Sequence, residues 1–464
     1  MAYLEYAYLA AALVLGTLLY WRRPGLYIGF TWWVWFLTPE VRRLVDYVSG
    51  WDPVNPIMLA PYLVSGLTFF TLVHHLPKLQ LKRFFPFVLI FLGLFYAFAV
   101  GIYRGGVSSA TYQLVEWLVP AVVAFYLIVH WRRYPEYRES VQRTFTWGVM
   151  VMGIYGLVQF LAPPAWDQYW MVSSPITSIG QPEPFEVRVF STLNSPAPFA
   201  MVMMAGLLLL LAKGNALRWP AAAVGAVGFL LSLVRQAWGG WLIAVVLIVM
   251  QSRRSRPGLL LTLLVVTLLT MPLVTIGPIA DRINERLGTL TELGQDNSFQ
   301  ARVEFYNETM PLAFLNPVGE GLGSTGRSTK LSTSSEFGTL GENAAFDSGI
   351  MEIPFVLGWP GSILYTGGLA WLLIQAQSRR NPEDLFATVS GSIAVSLLVL
   401  LIFNDTVTGL PGMLIWSFLG LAIAAGIGHR QTSRKPAGGM SPEKGYGAQR
   451  EGATNTAGKK IARS

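Results

Sequence analysis

The run Ser348-Gly-Ile-Met-Glu352-Ile-Pro354-Phe-Val-Leu-Gly358-Trp-Pro360-Gly361, continuing Ser-Ile-Leu-Tyr-Thr-Gly-Gly-Leu-Ala-Trp-Leu-Leu-Ile-Gln375, decides the fold. Residues 350–377 are helix-compatible throughout, and Glu352 is their one charged residue. At 1.5 Å per residue they reach about 42 Å, against a hydrocarbon core of about 30 Å. They predict a transmembrane helix whose first turns, with Asp347 and Glu352, rise out of the hydrocarbon. Pro354 and the Gly358-Trp-Pro360-Gly361 run predict a kink in it. Just upstream, Glu342-Asn-Ala-Ala-Phe-Asp347 closes the longest polar segment of the chain. Carboxylates so near a bilayer have no evident structural duty there and mark half of a candidate active site.

The apolar character extends through the whole sequence. Of 464 residues, 53% are hydrophobic and 13% charged, where a soluble domain carries about 25% charged residues. Apolar stretches fall at about 3–20, 24–38, 55–76, 85–102, 110–130, 145–162, 196–212, 218–233, 239–251, 257–277, 351–376, 385–403 and 408–428. The second is short for a full crossing. The expected fold class is therefore an all-α polytopic membrane protein with 12–13 transmembrane helices. The first stretch lacks a basic n-region and a small-residue cleavage site, so it reads as a retained span. There is no cysteine, which excludes disulfides, thiolate metal sites and cysteine nucleophiles. The four histidines have no metal-ligand spacing, and no metal site or cofactor is expected.

Loop charge sets the orientation. Alternate short loops hold Arg22 and Arg23, then Lys78, Lys82 and Arg83, then Arg132, Arg133, Arg138 and Arg143, then Lys213 and Arg218, then Arg253, Arg254 and Arg256, then Arg379 and Arg380. Those sixteen basic residues face four on the other side: Arg42, Arg43, Arg104 and Arg235. The positive-inside rule puts the first set in the cytoplasm. Residues 1–428 form the transmembrane domain, and 429–464 a disordered basic cytoplasmic tail. The tail's positive charge suits anionic lipid rather than nucleic acid. Two long segments, 163–195 and 278–350, then fall on the periplasmic side. The second has ten acidic and five basic residues. It suggests short surface helices at 281–293 and 298–313. A Gly-rich turn, Asn316-Pro-Val-Gly-Glu-Gly-Leu-Gly323-Ser324, follows, and then a Ser/Thr/Gly run to about 341 that reads as a mobile loop or lid.

Arg235 lies at an outer junction between two apolar stretches, followed by Gln236 and the Gly239-Gly240 pair. It reads either as a snorkelling side chain or as an anion ligand with room beside it. Arg188 opens Arg188-Val-Phe-Ser191-Thr192-Leu-Asn194-Ser195-Pro, just before a span. Hydroxyl and amide groups at a helix N-terminus, with an arginine, suit a phosphate or pyrophosphate. The alternative is a solvated arginine paired with Glu186. Arg302 is a third candidate, or a partner of Glu304. Asp347 is placed either to cap the following helix or to act as a base. Ser348 and Glu352 share a face. Asp347 and Glu352, five apart, do not, so the spacing does not suggest a paired-carboxylate glycosidase.

These residues, taken in order and on one side, resemble the O-antigen ligase and repeat-unit polymerase family of bacterial envelope polysaccharide assembly. The likeness rests on Arg188-Val-Phe-Ser-Thr-Leu-Asn-Ser-Pro, Ser232-Leu-Val-Arg235, Asn316-Pro-Val-Gly-Glu-Gly-Leu-Gly323, and Asp347-Ser-Gly with Gly358-Trp-Pro-Gly361. It covers roughly residues 25–428. The resemblance implies an all-helical (GT-C-like) membrane glycosyltransferase, metal-independent and inverting, with an undecaprenyl-pyrophosphate-linked glycan as donor and its site facing the periplasm. It implies that Arg188 and Arg235 hold the pyrophosphate and stabilise it as it leaves. The ligases carry a His-Ser or His-Asn pair shortly before a Gly-x-x-Gly. Here that pair is Asp347-Ser348, with aspartate in the histidine's place. A carboxylate can serve as base when burial raises its pKa. The aspartate form looks more like the exopolysaccharide and O-antigen polymerases.

The expected function is therefore polymerisation of lipid-linked repeat units at the bacterial inner membrane. Asp347 is the catalytic residue and Glu352 its second choice. Arg188, Arg235 and Arg302 form the pyrophosphate site, supported by Ser191, Asn194, Gln236 and Ser348. The acceptor is a lipid-linked glycan or, for a ligase, lipid A-core. A transporter is the more distant alternative, although the polar groups collect at the outer surface rather than at midplane.

Overall fold

The computed structural model describes residues 2–53, 55–212, 216–252, 256–275, 277, 280, 304, 306–307, 310–311, 313–333, 348–378, 383–405 and 407–434. Among them the chain is all-α, with no strand and one isolated bridge between Gly180 and Val187. Each of the thirteen apolar stretches is helical. The helices are α1 (Ala2–Arg22), α2 (Pro24–Ser49), α3 (Ala60–Gly66), α4 (Phe69–His74), α5 (Phe85–Gly105), α6 (Val107–Val129), α7 (Tyr134–Leu161), α8 (Ala165–Ser173), α9 (Pro196–Leu211), α10 (Arg218–Leu231), α11 (Arg235–Gln251), α12 (Arg256–Thr275), α13 (Gly349–Ser378), α14 (Leu385–Val399) and α15 (Gly409–Arg434). Seven helical stretches among the described residues are long and apolar enough to cross a membrane: Pro56–His74, Phe85–Gly105, Val107–Val129, Trp131–Leu161, Gly349–Ser378, Leu385–Ile402 and Gly409–Arg430. The shorter α9, α10 and α11 are apolar too.

The last helix is the centre of the bundle, with 94% of its apolar window buried. It packs on α6 and α14. Small residues let backbones approach where there is no water to drive association. Gly420 of α15 meets Ala124 of α6, and a Cβ added there would lie 3.1 Å from the Ala124 Cα. Gly361 and Gly368 of α13 meet Gly93 and Pro86 of α5 in the same way.

Polar contacts tie the helix ends together. At one end Tyr134 donates to Asp384 (2.7 Å), Arg138 pairs with Asp384 (3.5 Å), and Arg430 donates to the Ser378 carbonyl (2.9 Å). Arg22, Arg23, Arg133 and Arg143 line one groove there. At the other end Arg104 pairs with Glu320 (2.6 Å), and the Gly349 amide donates to the Asn404 carbonyl (3.1 Å).

Four expectations are corrected or refined. Arg42 and Arg43, read as loop residues, lie within α2 and are buried. Helix α2 continues to Ser49 because Glu40 and Asp46, one turn away on either side, neutralise them. Arg235 is the first residue of α11 rather than part of a preceding turn. The Ser/Thr/Gly run after 324 is not all open loop: Gly326–Leu331 is a 3₁₀ helix docked on α6, with Ser324, Thr325 and Ser328 buried. The kink in α13 falls at Gly358 (φ 60°, ψ −177°), where the helix is broken rather than bent. The 334–347 part of the expected lid, and the tail beyond 434, lie outside the described residues. So does most of the two surface helices expected at 281–293 and 298–313.

That break is filled by the Gly-rich turn. Freed of helical partners, the Phe355 and Val356 carbonyls accept from the Glu320 and Gly321 amides (2.8 and 3.0 Å), and the Trp359 amide donates to Pro317 (2.9 Å). The Leu322 amide donates to Ala97 of α5 (2.9 Å), and the Gly323 amide to the Gln113 side chain of α6. Irregular backbone at membrane depth needs such protein partners, because lipid offers none. Gly319, Gly321 and Gly323 all have positive φ (80°, 84°, 100°). A Cβ on Gly321 would meet the Gly101 backbone.

Gly321→Ala should therefore destabilise the protein by about 2–4 kcal/mol, from left-handed strain plus backbone overlap. Gly367→Ala, in open space inside α13, should be neutral or stabilising by up to about 1 kcal/mol. Thermal melts in detergent check this; equal melting of the two variants would contradict the threaded turn.

Candidate functional site

The motif 188–195 is held from below by α2, α7 and α8. Gln159 Oε1 accepts from the Phe190 and Ser191 amides (3.0 and 2.9 Å). The buried Arg43 guanidinium donates to the Ser191 carbonyl (2.5 Å) and the Leu193 carbonyl, and pairs with Asp167 (2.9 Å) and Glu40. Asp167 in turn accepts from Gln159 (2.7 Å) and Tyr155 (2.9 Å). Ser191 sits in the left-handed region (φ 51°), and its hydroxyl donates to the Met152 carbonyl (2.7 Å). Ser191 therefore belongs to the scaffold. Its hydroxyl is committed to α7.

This scaffold presses the motif against the start of α11. The Val189 amide donates to Leu231 (3.1 Å), and Arg188 Nη2 donates to the Leu233 carbonyl (3.3 Å), two residues before Arg235. Arg188 is thus brought to the corner where α11 begins with Arg235. Helices α9 and α11 both begin at this end and lie side by side, with Gly240 against Met204. Two helix N-termini and two guanidiniums make the corner electropositive. The Thr192 hydroxyl, Asn194 Oδ1 and Gln236 Oε1 are buried there without hydrogen-bond partners. Buried polar atoms usually have partners, so three unpartnered ones beside two arginines mark a place built for polar chemistry.

The second part of the site is carboxylic. Glu352, on the first stretch of α13, is 4% exposed. Its Oε1 accepts from Thr325 (2.8 Å), whose hydroxyl accepts from Gln113 (2.5 Å). Its other oxygen has no donor among the described residues, and Asp405 lies close enough for the two carboxyls to act on one another. Two carboxylates repel one another; a bond between them requires one shared proton. Asp405, in the turn between α14 and α15, also accepts from the Val407 amide (3.1 Å) and the Thr408 hydroxyl. Burial pushes its carboxyl up from the ordinary value, and those two bonds offset part of the rise. Glu116 of α6 joins the same electrostatic cluster and accepts from Tyr62 (3.4 Å).

A short contact path links the two parts. Leu400 packs on Gly240 of α11, and the carbonyls of Leu401 and Ile402 hold Ser348 and Tyr306. Ser348 donates to Leu401 (3.2 Å), and the Tyr306 hydroxyl lies 2.6 Å from Ile402 O and 2.7 Å from Ser348 Oγ. Ser348 is fully buried by these bonds. Asp347 and Arg302 lie outside the described residues. Sequence reasoning missed Asp405 and the role of Arg43. A signal existed for the first: Asn404-Asp405-Thr406 is a polar break between two apolar stretches. No such signal exists for Arg43, whose carbonyl partners lie 150 and 148 residues away. No family model matches the sequence, and no curated protein is significantly similar to it.

Arg43→Gln should cost about 3–5 kcal/mol, because it strands the buried Asp167 charge; detergent melting measures this, and a loss under 1 kcal/mol would refute the clamp. The pH behaviour of Asp405 has a definite sign. A raised folded pKa means that its stabilising contribution is full below the unfolded value of about 3.9 and is lost as pH rises through the folded value. The melting temperature of Asp405→Asn should thus gain on wild type as pH is raised from about 4 to about 8. A difference independent of pH would contradict the burial argument.

Proposed function

We propose that this chain is an inner-membrane glycosyltransferase that moves a glycan from an undecaprenyl-pyrophosphate donor to a sugar hydroxyl on the periplasmic side, polymerising exopolysaccharide or O-antigen repeat units. The observation that carries the reading is the corner where Arg188, Arg235 and the starts of α9 and α11 meet. It has the charge and the donors that a departing pyrophosphate needs. The resemblance of the 188–195, 232–235, 316–323 and 347–361 motifs to the ligase and polymerase family supports it. In this reading α1, α2 and α12 cross the membrane together with the ten other apolar segments. The basic end is cytoplasmic, and 278–350 is the large periplasmic loop over the acceptor.

The acceptor oxygen attacks the anomeric carbon, and the bond from that carbon to the pyrophosphate oxygen breaks with inversion. The acceptor proton passes to a carboxylate: Asp347 first, Glu352 second, with Asp405 able to share it. Arg188 and Arg235 hold the charge that develops on the leaving group, with Arg302 as a third contributor. A second reading, an ion-coupled carrier, is favoured by one observation: the buried Glu352–Asp405 pair beside a broken helix.

Purified protein given lipid-linked repeats should yield a ladder of chain lengths on a gel. Single-step transfer to lipid A-core would make it a ligase instead. Arg235→Ala should lower the rate about 10²–10³-fold, and Arg138→Ala, at the opposite end, should leave it intact. Absence of any transfer, together with proton-driven uptake in liposomes, would replace the enzyme reading with the carrier.

A further inference from the structure

A separate cavity of about 150 Å³ opens at the same end of the bundle, between α2, α6 and the 3₁₀ helix Gly326–Leu331. Its polar lining consists of Arg42, Arg327, Tyr112 and Asn55; Met58 and Leu59 are among its apolar walls. Arg42 is 1% exposed. Its Nε donates to Asp46 (3.1 Å) and its Nη2 to the Asp52 carbonyl (2.5 Å), while its plane lies over Trp170 (4.9 Å). Nη1 takes part in neither bond. Arg327 is close enough for its charge to act on Arg42, Glu116 and Tyr62, and it lines the cavity beside Tyr112.

The arrangement of charge is layered. The acids that balance these arginines, Asp46 and Glu116, do not line the cavity. Asp46 holds the Arg42 guanidinium from outside the cavity, and Glu116 lies within electrostatic reach of Arg327. Asn55 is oriented likewise, its amide nitrogen donating to Asp46 (2.8 Å) and its oxygen accepting from Ile57 (3.0 Å). Two like charges therefore face one small space that has cationic and neutral polar walls, with the neutralising carboxylates out of the way. Charge repulsion between guanidiniums is relieved when an oxyanion enters between them, and the guanidinium fork matches a carboxylate or a phosphate. Thr325, two residues from Arg327, is bonded to Glu352, so the cavity borders the carboxylic part of the site. Arg188 and Arg235 do not line it.

We infer that the Arg42–Arg327 cavity is a second anion site, which takes a carboxylate or phosphate group carried by the acceptor and so selects acidic or phosphorylated acceptors. The identity of that acceptor as a glycan rests on the function proposed above; the anion site does not.

The test is therefore binding without turnover. Purified full-length protein in octaethylene glycol dodecyl ether is titrated separately with inorganic phosphate, followed by ³¹P line broadening, and with D-glucuronate, followed by saturation-transfer NMR. D-glucose is the neutral control. Each titration is repeated on Arg235→Gln, which removes a cation from the other anion corner. We expect saturable binding of at least one anion, none of glucose, and a tenfold or greater rise in Kd in Arg327→Gln on either background. Arg327→Lys should recover part of the loss, which separates charge from fold. Preference for phosphate identifies a lipid-linked phosphate as the natural group, and preference for glucuronate an acidic sugar. Unchanged anion binding in Arg327→Gln, or binding abolished by Arg235→Gln alone, overturns the proposal. Because no transfer is measured, a protein that binds anions here yet forms no glycan would refute only the proposed function.

Discussion

A helix that breaks inside a membrane must find new partners for the backbone groups it releases, and in this protein one loop supplies them. The Glu320 and Gly321 amides take the place of helical donors to Phe355 and Val356. The rest of this end of the bundle depends on that exchange. It fixes the start of α13, and with it Glu352. It fixes Thr325, which bonds Glu352 from the loop side, and Arg327 two residues on. It also explains why three alternate residues are glycine with positive φ: the loop lies directly on the backbones of α5, α6 and α13, where any side chain would stand in the way.

The arginine corner is built by a different device. Arg43 and Gln159 reach up from α2 and α7 to hold the carbonyls and amides of the 188–195 motif. Several buried charges, Glu40, Arg43 and Asp167, serve to shape one turn rather than to contact a ligand. Removing either partner of such a network leaves a charge without compensation at low dielectric, so the network is rigid as a unit. In the proposed function, that platform would hold Arg188 where charge develops.

Much of the architecture could be read directly from the residues. Thirteen apolar stretches and a proline–glycine run each have a direct physical meaning, and the helices and the break at Gly358 follow them. Arg42 and Arg43 misled because paired arginines after an apolar run look like a loop; the acids one turn away that keep them helical are only effective once buried. The Ser/Thr/Gly run after 324 misled because composition is the same for a loop in water and a loop threaded between helices. The meeting of Arg188 with the start of α11 joins two motifs that the sequence places about 45 residues apart. Its detail was not legible, since contacts between segments far apart in sequence leave no local trace. Asp405 stood in plain view as a polar interruption, but nothing nearby in the chain points to Glu352 as its partner.

The threaded loop also constrains how the molecule is assembled. Residues 316–325 are synthesised after α5 and α6 and before α13, so they can settle on the first two helices but cannot be enclosed until the third arrives. Enclosure therefore waits for α13, and α15 enters the middle of a bundle whose other described helices precede it in the chain. A nascent chain that stopped short of residue 349 would hold a polar turn against two helices, with no third helix to shut it away from lipid.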